Sequence, residues 1–233
     1  MDFLDGDLFW DPMIPSLSNQ DRTEIYQNKN KTLALLHGVD YKKIGLEDYG
    51  KPGNYVARQV SRWSKQYRAS ETDDIEAMNN LIEWLPKNIP DDDETSIVHG
   101  DYRLDNMILK DNQVMGILDW ELSTLGHPIA DFSYHCLSWR TQEAFWDQSK
   151  LKELGIPNER EYMDMYCENT GKDLSKNWEF YMAFNMFKIA GILQGILGRV
   201  RDGTASSKHA EDRGMMVYPL SEAAWNTIKE NLL

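Results

Sequence analysis

The chain has 233 residues, 41% of them hydrophobic, which is enough for one substantial domain or two small ones with a packed core. A formal net charge of −13 makes it a poor general binder of nucleic acid or of anionic membranes. Its two cysteines lack ligand spacing, so they indicate neither a zinc site nor a disulfide framework and favour a reducing, cytoplasmic setting.

The first part of the chain predicts a hinge or linker segment followed by helices. Residues 1–17 are apolar and interrupted by prolines, whereas Ser18-Asn19-Gln20-Asp21 has the form of a helix start. We therefore expect a boundary there, with residues 18–233 forming the main unit. Apolar residues at helical spacing predict helices over residues 18–38, 56–67 and 75–85.

A single β segment is predicted between Thr95 and Asp119. Short apolar runs predict strands at residues 96–98, 107–109 and 114–118, with a hairpin turn at Lys110-Asp111-Asn112-Gln113. Everything after about Ile129 is predicted to be helical, and its most apolar stretch, residues 183–200, is too often interrupted by polar side chains for a membrane span. The predicted fold class is therefore α+β, mostly helical around a small β insertion.

Polar residues concentrate at the ends of the predicted strands. The first strand leads into His99-Gly100-Asp101 and a loop that closes at Asn106, and the second strand of the hairpin leads into Asp119. Rigid scaffolds commonly present functional side chains from such loops. We therefore expect two carboxylates and an amide to emerge from adjacent strand ends.

This spacing matches the kinase pattern H-R-D-x-x-x-x-N followed by a metal-binding aspartate, with Gly100 in place of the arginine. In that pattern Asp101 accepts the proton of a substrate hydroxyl. Asn106 and Asp119 offer the hard oxygen ligands that Mg²⁺ prefers, and the phosphates of a nucleotide complete the shell. Positioning and charge neutralisation supply most of the catalysis in phosphoryl transfer.

Three ordered motifs resemble the signature of the aminoglycoside phosphotransferase and choline kinase superfamily: His99-Gly100-Asp101-x-x-x-x-Asn106, Asp119-Trp120-Glu121 and Gly126-His127-Pro128-x-x-Asp131. Residues 49–55 and 120–126 are similar to the branch found as stand-alone bacterial phosphotransferases and fused to some acyl-CoA dehydrogenases. The resemblance covers essentially the whole chain. It implies a protein-kinase-like C-terminal lobe that uses ATP and Mg²⁺ to phosphorylate a hydroxyl group of a small molecule.

The resemblance also implies roles for single residues. Asp101 would be the catalytic base, with His99 bracing its loop and Asn106 completing the catalytic set. Asn106 and Asp119 would bind the metal and the nucleotide, and Asp131 would anchor the loop from the following helix. Candidates for substrate contact are Arg103, Asp105 and Glu121.

The 233 residues contain no G-x-G-x-x-G loop and no V-A-I-K-like strand, which belong to the N-terminal lobe of a kinase. In the family, a strand resembling Met1-Asp2-Phe3-Leu4-Asp5-Gly6 forms the hinge between the lobes. We therefore expect this chain to begin at the hinge and to have little or no kinase activity alone. An N-terminal lobe supplied in trans and a homo-oligomer both stay open as partners, besides substrate and nucleotide.

Two other functions stay open. One is a catalytically inactive or split remnant that serves as a binding module. The other, ranked lowest because its histidines lack the i, i+4 spacing with a neighbouring glutamate, is a metal-dependent hydrolase. Its residues would be His99, Asp101, Asp119, His127, Asp131 and His135. The acidic charge would suit a cationic substrate, whereas the dehydrogenase-fused branch indicates hydroxylated acyl or other metabolite substrates.

Overall fold

The computed structural model describes residues 3–145 and 147–232. They divide into two compact units, each assembled from two stretches of the chain. The first unit contains residues 3–52 and 94–175, and the second contains residues 53–93 and 176–232. The predicted boundary between residues 17 and 18 stays a prediction, and Met1 and Asp2 of its hinge segment lie outside the described residues.

In the first unit, helix α1 (Asn19–His37) begins where the sequence predicts it. The Ser18 hydroxyl accepts the amide of Asp21, and the Asp21 carboxylate accepts the amide of Ser18, which forms a capping box. Gly38 follows its last turn. The later helices of this unit are α4 (Pro128–Cys136), α5 (Ser138–Thr141), α6 (Gln148–Glu153) and α7 (Glu159–Thr170).

Four strands lie in the described part of the first unit. The predicted ones are β1 (Ser96–Val98), β2 (Met107–Lys110) and β3 (Gln113–Ile117). The β2–β3 turn is only two residues long: Asp111 and Asn112 have φ of 48° and 61°, the positive pair of a type I′ hairpin.

The prediction of a single β segment ending at Asp119 is wrong in one respect. A fourth strand, β4 (Thr124–Gly126), pairs antiparallel with β1, while β2 pairs with β3, so the described strands form two separate sheets. Asp101 and Asp119 consequently follow strands of different sheets. β4 spans three residues, too few for an alternating pattern, and its partner lies almost thirty residues away in sequence.

A buried arginine on α1 binds the backbone of the segment that precedes this helix. Arg22 donates to the backbone oxygens of Ile14 (3.0 Å), Leu17 (2.6 Å) and Leu154 (2.7 Å). Ile14 is buried and has a φ of 44°, which is strained for a β-branched residue. The one strand-like contact in residues 3–17 is the backbone bridge between Asp7 and Leu109.

The described residues of the second unit form helices joined by turns and loops, with no strand among them. Its helices are α2 (Tyr55–Ala69), α3 (Glu76–Trp84), α8 (Trp178–Arg201), α9 (Ala210–Met215) and α10 (Val217–Asn231). The periodic residues that predict α2 are all buried, and Pro86 lies in the 3₁₀ turn Leu85–Lys87 that ends α3. A Cβ on Gly191 of α8 would lie 3.7 Å from Trp63 of α2, so the small residue permits a close helix contact. α8 has the length and composition of a membrane span, but 72% of its apolar window is buried in the protein.

Candidate active site

The chain leaves β1 at Val98 and forms a loop over residues 99–106, called the 99–106 loop below. The loop ends in the 3₁₀ turn Leu104–Asn106, directly before β2. Gly100 has a φ of 84°, and a Cβ there would lie 2.8 Å from the backbone oxygen of Leu122. The path of the loop therefore requires glycine, for its backbone conformation and for lack of space.

We expect Gly100→Ala to destabilise the protein more than twice as much as Gly171→Ala. Gly171 ends α7 with a φ of 72° but has open space around it, so its substitution costs only the left-handed conformation, about 1 kcal/mol. Gly100→Ala adds the collision with Leu122. Urea unfolding of both variants makes the comparison, and equal losses of unfolding free energy would show that the close contact is absent.

Asp131 on α4 holds the beginning of the loop. Its carboxylate accepts the amides of His99 (2.9 Å) and Gly100 (2.8 Å) and a hydrogen bond from Nε2 of His37 (3.2 Å). Burial opposes ionisation, but the hydrogen bonds from His37 and from the two amides outweigh it, so the pKa of Asp131 lies below its ordinary value. Asp131 is thus a buried carboxylate that fixes the backbone on one side of Asp101.

The fully buried ring of His99 connects the ends of β1 and β3. Its Nε2 donates to the backbone oxygen of Leu118 (2.9 Å), so Nδ1 is free to accept the amide of Asp101 (3.3 Å). This contact joins two strand ends that belong to separate sheets. Through these two hydrogen bonds, His99 holds the start of the 99–106 loop next to the end of β3.

Asp101 and Asn106 contact each other across the loop. Nδ2 of Asn106 donates to the backbone oxygen (2.9 Å) and to the carboxylate (3.2 Å) of Asp101. The other carboxylate oxygen of Asp101 accepts the hydroxyl of Tyr134 (3.2 Å). Because the amide hydrogens of Asn106 face Asp101, its side-chain oxygen is left without a hydrogen bond from any described residue.

Asp119 follows β3 beside Asn106. The amide of Leu118 donates to the backbone oxygen of Asn106 (2.8 Å), so the candidate residue before β2 and the one after β3 lie at the same end of the hairpin. Asp119 is exposed, has a φ of 61°, and its carboxylate has no partner among the described residues. The side-chain oxygen of Asn106 and the carboxylate of Asp119, neither of which has a partner among the described residues, thus belong to residues at the same end of the β2–β3 hairpin.

The three candidates for substrate contact differ in how they are held. Nε and a terminal nitrogen of Arg103 donate to the two carboxylate oxygens of Asp105 at 3.0 and 2.6 Å, while 57% of the Arg103 side chain stays exposed. Asp105 thus fixes the orientation of a half-exposed cation two residues beyond Asp101. Glu121 is exposed and has no partner within the described residues, so nothing there orients it.

Sequence reasoning missed Tyr134, although a signal was present. It lies three residues after Asp131, on the same side of α4, and its hydroxyl contacts the predicted base. Burial and the neighbouring carboxylate of Asp101 raise the pKa of Tyr134 above its ordinary value, so the hydroxyl stays protonated and can donate. His37 was missed as well, because nothing in the sequence connects the end of α1 to the loop.

The hydrolase arrangement is not formed. Within residues 3–145 and 147–232, no group of three or more histidine, cysteine, aspartate or glutamate side chains could hold a metal ion. His127 is buried at the start of α4, and the ring of His135 contacts Tyr102 and Tyr162.

His135 gives the protein a predictable dependence on pH. Burial, reinforced by the charge of Lys29, lowers the pKa of His135 to about 3, whereas an unfolded histidine takes up its proton near pH 6.5. Between these values the unfolded chain binds more protons, so the stability contributed by neutral His135 is lost as the pH falls. One proton changes the unfolding free energy by about 1.4 kcal/mol per pH unit.

We therefore expect the stability advantage of the unchanged protein over His135→Gln to shrink by about 2 kcal/mol between pH 7 and pH 5. Urea unfolding at both pH values measures it. His209→Gln, at an exposed position, serves as the control. An advantage that is the same at both pH values would mean that His135 takes up its proton equally easily in the folded protein.

A mostly helical body, two small sheets and a loop that carries histidine, aspartate and asparagine define a kinase-like phosphotransferase. A sequence profile of the phosphotransferase enzyme family, APH, matches residues 1–166, and the chain belongs to that family. The resemblance inferred from the motifs and the α+β fold class are both confirmed.

Solved structures agree with this family. A candidate aminoglycoside phosphotransferase from Ralstonia eutropha is 50% identical, with a TM-score of 0.93 over 99% of this chain and 72% of that one. A choline kinase from Cryptosporidium parvum is 11% identical, with a TM-score of 0.64 over 98% of this chain and 70% of that one, and supports the fold alone.

Curated relatives are much longer proteins. Mouse acyl-CoA dehydrogenase family member 10 is 43% identical over 97% of this chain, and human acyl-CoA dehydrogenase family member 11 is 41% identical over 95%. The chain spans only 22% and 29% of their respective lengths. The similarity therefore concerns a part of those proteins.

Proposed function

We propose that this chain is the catalytic part of a phosphotransferase that uses ATP and Mg²⁺ to phosphorylate a hydroxyl group of a small molecule. One observation carries the proposal. Asp101 engages the amide hydrogens of Asn106, so the side-chain oxygen of Asn106 and the carboxylate of Asp119 both lack a partner among the described residues, at one end of the β2–β3 hairpin.

The chemistry of this donor pair fits magnesium bound to a nucleotide. Mg²⁺ is commonly held by one or two protein carboxylates or amides, with water and phosphate oxygens completing its octahedron. Asn106 and Asp119 supply two hard oxygens and do not form a closed cage. When bound, the magnesium nucleotide supplies the phosphoryl group and neutralises its charge.

Asp101 is proposed as the base that takes the proton of the acceptor hydroxyl. It is half-buried, and donors on both sides, Tyr134 and Asn106, fix the direction of its carboxylate. Its backbone is held by the contacts of His99, so the carboxylate can be positioned before substrate arrives. Such preorganisation is what phosphoryl transfer requires of the protein.

Arg103 is proposed to contact an anionic group, either the transferred phosphoryl group or a substituent of the acceptor. Asp105 occupies one edge of the guanidinium group, which orients the remaining N–H groups. Hydroxylated acyl compounds are the first acceptors to test, because the mammalian relatives are named for acyl-CoA dehydrogenases.

The second candidate function is a kinase-like binding module without turnover. Calorimetry with MgATP and MgADP, combined with an assay of ATP turnover, separates the two. Binding with turnover supports the enzyme. Nucleotide binding that is independent of magnesium, or no binding even when an N-terminal kinase lobe is supplied, would exclude the enzyme.

A further inference from the structure

Two tyrosines of α7, four residues apart, each contact a buried histidine. The hydroxyl of Tyr162 lies 2.9 Å from Nε2 of His135, and the hydroxyl of Tyr166 lies 2.6 Å from Nδ1 of His37. Both tyrosines are fully buried, and the histidines are 6% and 7% exposed. The mechanism proposed above uses none of these four side chains.

The hydrogen bonds impose a different tautomer on each histidine. Nδ1 of His135 lies 2.7 Å from the backbone oxygen of Tyr102, which can only accept, so Nδ1 carries the proton and Nε2 accepts from Tyr162. Nε2 of His37 donates to the carboxylate of Asp131, so its Nδ1 accepts from Tyr166. In both rings the tyrosine hydroxyl satisfies the nitrogen that carries no proton.

Hydrogen bonds connect each histidine to the backbone of the 99–106 loop, and the two connections lie on opposite sides of Asp101. His135 holds the backbone oxygen of Tyr102, the residue after Asp101. His37 acts through Asp131, whose carboxylate holds the amides of His99 and Gly100, the two residues before it. Two hydrogen-bonded chains therefore run from one face of α7 to the backbone that flanks the predicted base.

The tyrosine rings are held independently of their hydroxyl groups. Phe132 of α4 stacks on Tyr166 with 3.9 Å between ring centroids, and on Tyr162 with 5.9 Å. Replacing either tyrosine by phenylalanine therefore preserves the stack and removes only the hydrogen bond. Each substitution leaves a buried histidine ring nitrogen without its hydrogen-bond donor. Because an unsatisfied buried acceptor is costly, we expect the ring to change tautomer or to move.

We propose that Tyr162 and Tyr166 are positioning residues of the phosphotransferase site. Their hydroxyl groups fix the tautomers of His135 and His37, and these rings keep the backbone on either side of Asp101 in place. The consequence for turnover rests on the proposed function, whereas the positioning itself is measurable without any turnover.

The test uses Tyr162→Phe and Tyr166→Phe in the full chain. Tyr26→Phe is the control, because Tyr26 is equally buried in the same unit but donates to the backbone oxygen of Pro12. NMR correlation of the histidine ring nitrogens with their carbon-bound protons reports the tautomers. Amide hydrogen exchange reports how firmly the loop is held.

In the unchanged protein we expect a proton on Nδ1 of His135 and on Nε2 of His37. Tyr166→Phe should accelerate exchange of the His99 and Gly100 amides about tenfold, the effect of losing one hydrogen bond. Tyr162→Phe should accelerate exchange of the ring N–H of His135 to a similar extent. The opposite tautomers, or exchange no faster than in Tyr26→Phe, would overturn the proposal.

A kinetic measurement tests the link to function. Both variants should lower kcat about tenfold with the KM for MgATP unchanged, because a small displacement of Asp101 affects the reacting geometry and not nucleotide binding. Variants with unchanged kcat in an active enzyme would overturn the link. Absence of turnover in the unchanged protein, even with an N-terminal lobe supplied, would count against the proposed function, and the exchange data would still decide the positioning.

Discussion

Asp101→Asn is expected to lower kcat for phosphoryl transfer by about a thousandfold, the contribution of a well-placed general base. The measurement is made in a two-lobed protein that contains this chain, with MgATP and a hydroxylated acceptor. The amide is nearly isosteric with the carboxylate and can still accept the hydroxyl of Tyr134, but it cannot take up the proton of the acceptor. Binding of MgADP should therefore change by less than about threefold.

Asp111→Asn is the matched control for this variant. Asp111 is an exposed aspartate at the tip of the β2–β3 hairpin, and its replacement removes the same charge at a position outside the 99–106 loop. It should leave kcat unchanged. If Asp101→Asn retained more than about a tenth of the activity of Asp111→Asn, Asp101 would not be the base.

Asp119→Asn is expected to weaken magnesium-dependent binding of ADP at least about tenfold. The substitution replaces a carboxylate ligand by a neutral amide. Asparagine adopts the left-handed backbone as readily as aspartate does, so the φ of 61° is not a new source of strain. Calorimetry with and without magnesium measures the effect.

Asp111→Asn again provides the control, because Asp111 has a φ of 48° and the same exposed character. It should bind magnesium nucleotide normally. The outcome that contradicts the metal assignment is a loss of nucleotide affinity that is equal in the presence and absence of magnesium. In that case Asp119 would contribute through the local structure and not through the ion.

The elements predicted correctly from the sequence are those specified by neighbouring residues. The capping box at Ser18 sets the start of α1, and the period of Val56, Val60, Trp63 and Tyr67 sets the buried face of α2. Both patterns are complete within a few residues, so no tertiary information is needed. The hairpin was predicted for the same reason, since its turn and both strands are contiguous.

The elements that were missed depend on distant partners. β4 is a strand only because β1 lies beside it, and its three residues carry no strand pattern of their own. His37 reaches the site because α1 packs against α7 and its last residue contacts Asp131 of α4, which no local pattern reveals. Once such a polar side chain is buried, it forms a hydrogen bond with a neighbour, and that bond connects distant parts of the chain.

The order of the site residues was predicted, but the way they are brought together was not. Asp101 and Asp119 were expected at neighbouring strand ends and in fact follow strands of separate sheets. The ring of His99 joins the two sheets at this point, and the backbone bond between Leu118 and Asn106 places Asn106 next to the end of β3. The motif therefore predicts candidate residues, and the three-dimensional contacts show how the backbone segments that carry them are connected.

Replacing Mg²⁺ by paramagnetic Mn²⁺ in the ADP complex of a two-lobed protein that contains this chain tests most directly whether the site holds a metal-bound nucleotide. The side-chain amide signal of Asn106 should disappear, because its oxygen would bind the ion. The signal of Asn169, whose side-chain amide donates to Asn30, should stay sharp. A sharp Asn106 signal while bound Mn²⁺-ADP broadens other residues would place the ion elsewhere and contradict the account.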